Sequence, residues 1–190
     1  PEVSDNISDS SSPMIFAAQS VKEDNQDSQV VFIGPCVSKK LEALSDKVRD
    51  EVDYVITFEE LAAIFVAADI ELTKVDAEEE IRDASYYGRA YANAGGVAEA
   101  IRQNLKEKYE IDPPITKADG LADCKKTLTK AKAGVLDGHL IEGMACEGGC
   151  VGGPGTLLAT NRGAKYVNDF ADESPYKFAF ENEKLKNEDE

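Results

Sequence analysis

This chain is short of positive charge. Of its 190 residues, 37 are Asp or Glu and only 21 are Lys or Arg, for a net charge of −16. A nucleic-acid binder gains affinity by neutralising phosphates, so this balance excludes that class of partner. An anionic membrane surface is excluded on the same ground. No apolar run approaches the roughly 20 residues that a helix needs to cross a bilayer. Histidine is almost lacking: His139 stands alone, too little for a zinc site built on imidazoles, and reads as a loop or strand-end residue. The start carries neither the basic n-region nor the apolar h-region of a secretory leader, so a cytoplasmic location is expected. There is no internal repeat, and no G-x-x-x-x-G-K-S/T run to make a phosphate loop.

What is present suits one domain with a sizeable core. Strand-like and helix-like segments alternate, which predicts an α/β fold, a layered sheet with flanking helices. Residues 1–13 are polar and Ser-rich, and an extended course is expected. Met14 to Val21 reads as a buried helix, followed by a polar turn over 22–28. Val30–Ile33 and Val52–Ile56 read as strands from their β-branched and aromatic content. Thr57-Phe58-Glu59-Glu60 has the form of a capping box and opens a helix to Ala68, with Leu61, Ile64 and Phe65 on its core face. The acidic stretch 71–84 reads as a surface loop or short helix. Gly96 to Tyr109 is predicted helical, with Val97, Ala100, Ile101 and Leu105 as one apolar stripe. The preceding Gly pair offers N–H groups to an anion. Residues 120–132 read as a short strand with a helix around Cys124, 135–142 as a strand, and 162–170 as a last helix. The charged residues 181–190 are expected to fray.

Chemistry concentrates at cysteine. Cys146-Glu147-Gly148-Gly149-Cys150 places two thiols in a Gly-rich setting that continues through Val151-Gly152-Gly153-Pro154-Gly155. Glycine admits positive φ and close approach of main chain to a ligand. Thiolates are soft ligands that select iron–sulfur clusters, zinc or Cu(I). Cys36 follows a predicted strand and precedes a helix-like segment with Lys39, Lys40 and Glu42, a place where open α/β sheets put functional groups. Lys39 can fold back toward whatever Cys36 binds, and a lysine beside a thiolate lowers its pKa. These three cysteines read as metal ligands in a reducing compartment rather than as disulfides. Cys124 has no such context and reads as a structural thiol.

The segment Gly34-Pro35-Cys36-Val37-Ser38-Lys39-Lys40-Leu41-Glu42 resembles the iron-only ([FeFe]) hydrogenase signature P-C-x-x-K-x-x-E. Glu142 to Gly155 resembles a further signature of that family, E-x-M-A-C-x-x-G-C-x-x-G-G. Between them, Tyr91 to Ala100 is similar to the Gly-Gly helix start of the same catalytic domain. The three segments stand in family order, and the resemblance spans residues 1 to about 180, leaving 181–190 as a charged tail. It implies one lobe, or part of a two-lobe, catalytic domain.

The resemblance also implies a cofactor. The family holds a [4Fe-4S] cluster by four thiolates, one of which bridges to a diiron subsite with CO and cyanide ligands; together these form the H-cluster. By motif, Cys36, Cys146 and Cys150 are three of the ligands, and Cys150 is the bridging one. Lys39 falls where a lysine contacts a cyanide, Met144 where a methionine packs near the two irons, and Tyr91 where an aromatic lines the cavity. Ser8 matches a hydroxyl of the proton path only loosely. Glu42 and Glu142 match motif carboxylates, with pairing and support as their expected role. The implied activity is reversible oxidation of H₂ to protons, with Lys39, Met144 and Cys150 at the reacting centre and ferredoxin or a similar carrier taking the electrons.

Two departures stand out. Gly34 replaces a methionine, which is expected to open space beside the two-iron pocket, and the glycine run ends Gly152-Gly153-Pro154-Gly155 in place of the commoner ending. The T-S-C-C-P signature, with the fourth ligand and a proton-relay cysteine, is absent from the sequence, so a missing N-terminal part of the same protein is an expected partner. Alone, the chain is expected to be inactive and to bind no cofactor. A second reading, favoured by Gly34, is a hydrogenase-like [4Fe-4S] module for sensing or iron–sulfur assembly.

Overall fold

The fold is taken from a computed structural model, which describes residues 3–76 and 83–182. The chain divides into two compact units. Among the described residues, the first comprises Val3–Val75 with Gly153–Leu157, the second 76, 83–152 and 158–182. The expected α/β character is present, but the strands form two separate parallel pairs among the described residues. Residues 77–82 of the acidic stretch and 183–190 of the charged tail lie outside the described residues.

In the first unit, helix α1 (Pro13–Asp24) starts with proline at its first turn, where the lost N–H has no helical partner anyway. It runs three residues beyond the expected end, to Asp24. Its Met14, Ile15 and Ala18 form the core with Ala43 and Val52, and Val30, Phe32, Val48 and Val55 pack against them. Strand β1 (Val31–Gly34) pairs in parallel with β2 (Tyr54–Thr57), from Val31 opposite Tyr54 to Gly34 opposite Thr57. Between them runs the short helix α2 (Ser38–Ala43).

Helix α3 (Phe58–Ala67) carries the expected capping box. Glu60 N–H donates to Thr57 Oγ1 at 3.1 Å, and Thr57 N–H donates to the Glu60 carboxylate at 2.8 Å. Its expected core face is only partly covered: Leu61 and Phe65 are half-buried and Ile64 is 47% exposed. The cap and the β2 junction, not a buried stripe, tether this helix. The late segment Gly153–Leu157 completes the unit. Gly155 N–H donates to Pro35 O at 3.0 Å, and Glu59 N–H to Gly155 O at 3.3 Å.

The second unit opens with α4 (Tyr86–Arg89), a turn with no periodic signal, capped by Ser85. The buried Arg89 donates to Phe170 O at 2.7 Å and lies over the Phe170 ring. Helix α5 spans Gly96–Tyr109 as expected, but it buries Ala98 and Ala100 while Ile101 is 40% exposed. The helix packs through its small N-terminal residues, so the stripe read from the larger side chains is displaced. Strand β3 (Ile115–Asp119) precedes Gly120, whose φ of +88° turns the chain directly into helix α6 (Leu121–Lys132). The expected strand within 120–132 thus lies earlier. Gly134 and Gly138, both at positive φ, hold the next residues in a turn, and β4 starts only at Leu140 and ends at Met144. Strands β3 and β4 are parallel, with Asp119 opposite Met144. Helix α7 (Thr160–Asp172) follows.

Candidate metal centre

The thiols sit at comparable places in two different units. Cys36 lies two residues past the C-terminal end of β1, Cys146 two residues past the end of β4. Cys36, Cys146 and Cys150 are all half-buried, and none of the four cysteines is in a disulfide.

Around Cys36, α2 supplies charge. Lys39 Nζ donates to Glu42 Oε2 at 2.6 Å, so the motif lysine and carboxylate form an i,i+3 pair. Burial pushes the Glu42 carboxyl up, but hydrogen bonding from Lys39 and the Lys39 charge outweigh it and hold the group below its ordinary value. Lys40 reaches Glu60 at 2.7 Å and ties α2 to the cap of α3. Gly34 does not open a void in this unit: a Cβ there would lie 2.8 Å from the Phe32 ring, which fills that direction. Ser8 is exposed and bonds Ser10.

The Cys146–Cys150 loop is fixed by its backbone. Gly149 N–H donates to Cys146 O at 3.0 Å, and Gly152 N–H to Gly149 O at 3.0 Å. Gly148 O accepts from Ala94 N–H at 3.0 Å, beside a bridge between Asn93 and Gly149. Gly148 and Gly149 adopt φ of +86° and +85°. A Cβ on Gly149 would lie 2.5 Å from Ala94 N, and one on Gly152 would lie 2.0 Å from Glu147 O. Only glycine permits this packing.

Two carboxylates brace the same region. Glu142, buried on β4, accepts from Gly95 N–H at 2.6 Å and Ala98 N–H at 2.7 Å. It therefore fills the helix start that the sequence offered as a general anion site, as the dipole of α5 favours. Asp119 Oδ1 accepts from Gly148 N–H at 2.7 Å. Sequence reasoning missed Asp119; the available signal was an acidic residue closing a strand immediately before a glycine. Met144 is half-buried, and its carbonyl accepts from Gly120 N–H at 2.8 Å. Tyr91 lies in the turn Ala90–Ala92, and burial raises its phenol pKa. Cys124 Sγ points at Met144 O (3.5 Å) and Ala118 O (3.7 Å), a structural placement. His139 immediately precedes β4 and pairs with the Thr116 hydroxyl.

Tested against a cluster, the donors fit in kind: soft thiols on a loop whose glycines at 148, 149 and 152 leave no room for side chains of their own. They are fewer than a four-thiolate set. Among the described residues no three His, Cys, Asp or Glu side chains gather as a site for a single metal ion.

Residues 1–154 match the model of the iron-only hydrogenase large subunit, C-terminal domain, and the chain belongs to that family. Iron hydrogenase 1 of Clostridium pasteurianum is 29% identical over 198 residues, covering 82% of this chain and 34% of the relative. The periplasmic [Fe] hydrogenase large subunit of Nitratidesulfovibrio vulgaris is 27% identical over 187 residues, covering 77% of this chain and 44% of the relative. The chain thus spans less than half the length of these curated relatives. Among solved structures, an [FeFe]-hydrogenase studied for oxygen inactivation at its H cluster superposes with a TM-score of 0.71 at 22% identity, over 98% of this chain and 65% of the other. A variant of the [FeFe]-hydrogenase of Chlamydomonas reinhardtii gives 0.64 at 20% identity, over 92% and 63%. These likenesses establish the α/β catalytic-domain fold.

Proposed function

We propose that this chain is the cluster-holding part of an iron-only hydrogenase that interconverts H₂ with two protons and two electrons. The observation that carries the reading is the Cys146–Cys150 loop, two thiols on a glycine backbone that tolerates no side chain at Gly149 or Gly152. Cys36, Cys146 and Cys150 would hold a [4Fe-4S] cluster, with Cys150 shared with a diiron subsite. When bound, this H-cluster supplies the redox chemistry of the reaction. Lys39 offers a positive charge to an anionic ligand, and its pairing with Glu42 orients it. Met144 contributes apolar, polarisable bulk. Tyr91, with its raised pKa, stays protonated at neutral pH and can donate a hydrogen bond. The remaining part of a longer hydrogenase would supply the fourth thiolate. The net charge of −16 suits docking to a basic patch on a ferredoxin-type carrier, in an anaerobic, reducing cytoplasm.

The test is iron content and CO/cyanide infrared bands in the matured full-length protein. Cys150→Ala should lose cluster and bands together. Lys39→Ala should keep the cluster and lose the bands in part, and Cys124→Ala should keep both. A cluster retained in Cys150→Ala but lost in Cys124→Ala overturns the ligand assignment. This chain alone should evolve no H₂ from reduced methyl viologen. The replacement of a motif methionine by Gly34, with the Phe32 ring in that direction, favours a second reading as a [4Fe-4S] module in sensing or iron–sulfur assembly. Iron without infrared bands in the matured wild type would select it.

A further inference from the structure

We propose that Asp119 is a positioning residue for the cysteine loop, holding it through the Gly148 amide and placing a negative charge beside the cluster that Cys146 and Cys150 would ligate. The inference rests on the reading of that loop as a cluster site. Asp119 closes β3, and the register sets it opposite Met144, two residues before Cys146. The Gly120 N–H bond to Met144 O extends that register past the strand, so the Asp119 backbone is fixed relative to the loop's entry. Its own N–H is taken by Asp123 at 3.2 Å. From this place the carboxylate reaches across to the Gly148 N–H, midway between the two thiols.

The opposite edge of the same peptide segment is held by backbone alone, Ala94 N–H to Gly148 O. Gly148 is therefore held on both sides at a positive φ of +86°. No steric force could replace the grip, because a side chain at Gly148 would strike Thr160 Cγ2 at 2.3 Å. Carboxylate charge near a cluster disfavours the reduced form. Asp119 thus biases the site toward the oxidised state as well as shaping it.

Two substitutions separate the roles. Asp119→Asn keeps an oxygen acceptor for Gly148 and removes the charge; Asp119→Ala removes both. In the metal-free chain, hydrogen exchange at the Gly148 amide should be several-fold faster in Asp119→Ala and near wild type in Asp119→Asn. In the full-length protein reconstituted with iron and sulfide, chelator-driven iron loss should follow the same order. The midpoint potential should rise in Asp119→Asn with iron content unchanged. Wild-type exchange and iron retention in Asp119→Ala would overturn the positioning role. If Asp119→Ala does not fold, an unshifted potential in Asp119→Asn overturns the proposal. Cys146→Ser and Cys150→Ser are the controls: if both keep the cluster, the ligand reading has failed, whereas loss of the cluster in both with no effect at Asp119 rejects the Asp119 role alone.

Discussion

The two thiol-bearing regions are built on the same plan and fixed by different physics. Each follows the C-terminal end of a parallel strand by two residues. In the Cys36 segment most contacts are made by side chains, the Lys39–Glu42 pair, the Lys40–Glu60 pair and the Phe32 ring, with one main-chain strap from Gly155 N–H to Pro35 O. At Cys146–Cys150 main chain packs on main chain at Gly149 and Gly152, with the Asp119 carboxylate added at Gly148. Side-chain contacts are individually small and replaceable. Backbone packing with no room for a Cβ is all-or-none. The difference teaches that substitutions should be graded in the first region and abrupt in the second.

The strongest test of that contrast is a matched pair of alanines. Gly149→Ala forces a Cβ against the Ala94 backbone at positive φ and should destabilise the second unit by about 3 kcal/mol or more. Gly34→Ala meets only the edge of the Phe32 ring, which can rotate away, and should cost about 1 kcal/mol. Urea unfolding of both variants checks the ordering. Equal costs would break the comparison.

Next in size is Glu142→Ala. It strips the acceptor from two amides at the start of α5 and should cost about 2–4 kcal/mol, with Glu142→Gln recovering part of it. In the first unit Thr57→Ala removes one half of the α3 capping box and should cost about 1 kcal/mol by the same assay.

The smallest effect is electrostatic. Because the Glu42 carboxyl is held below its ordinary value in the folded chain, its pairing stabilises fully above the unfolded value of about 4.3. That increment fades as pH falls through the folded value. Lys39→Ala should lower stability near neutral pH by well under about 1 kcal/mol, and the difference from wild type should shrink in acid. A deficit in Lys39→Ala that grows toward low pH would contradict the assigned sign.

Signals that are local in sequence were legible. The α3 capping box, the span of α5 and the strand–turn placement of Cys36 each depend on residues within a few positions. The glycine loop was legible as a place where main chain must approach something closely. Several features depend on partners far along the chain and were not. The β4 boundary was misplaced because two glycines at positive φ extend the preceding turn. The buried face of α5 was misread because Ala98, not the larger Ile101, is covered. Glu142 was recognised from a motif as a support, but its target, the amides of Gly95 and Ala98, lies more than 40 residues away. Asp119 carries no motif at all, and its part emerges only from strand register.

The return of Gly153–Leu157 to the first unit has a consequence for the timing of synthesis. Pro35 O waits for an amide, that of Gly155, which is made about 120 residues later. At roughly 5–20 residues per second, a nascent chain spends on the order of ten seconds with the first unit incomplete. During that interval the Cys36 segment lacks its final strap. The arrival of the five residues Gly153–Leu157 closes it.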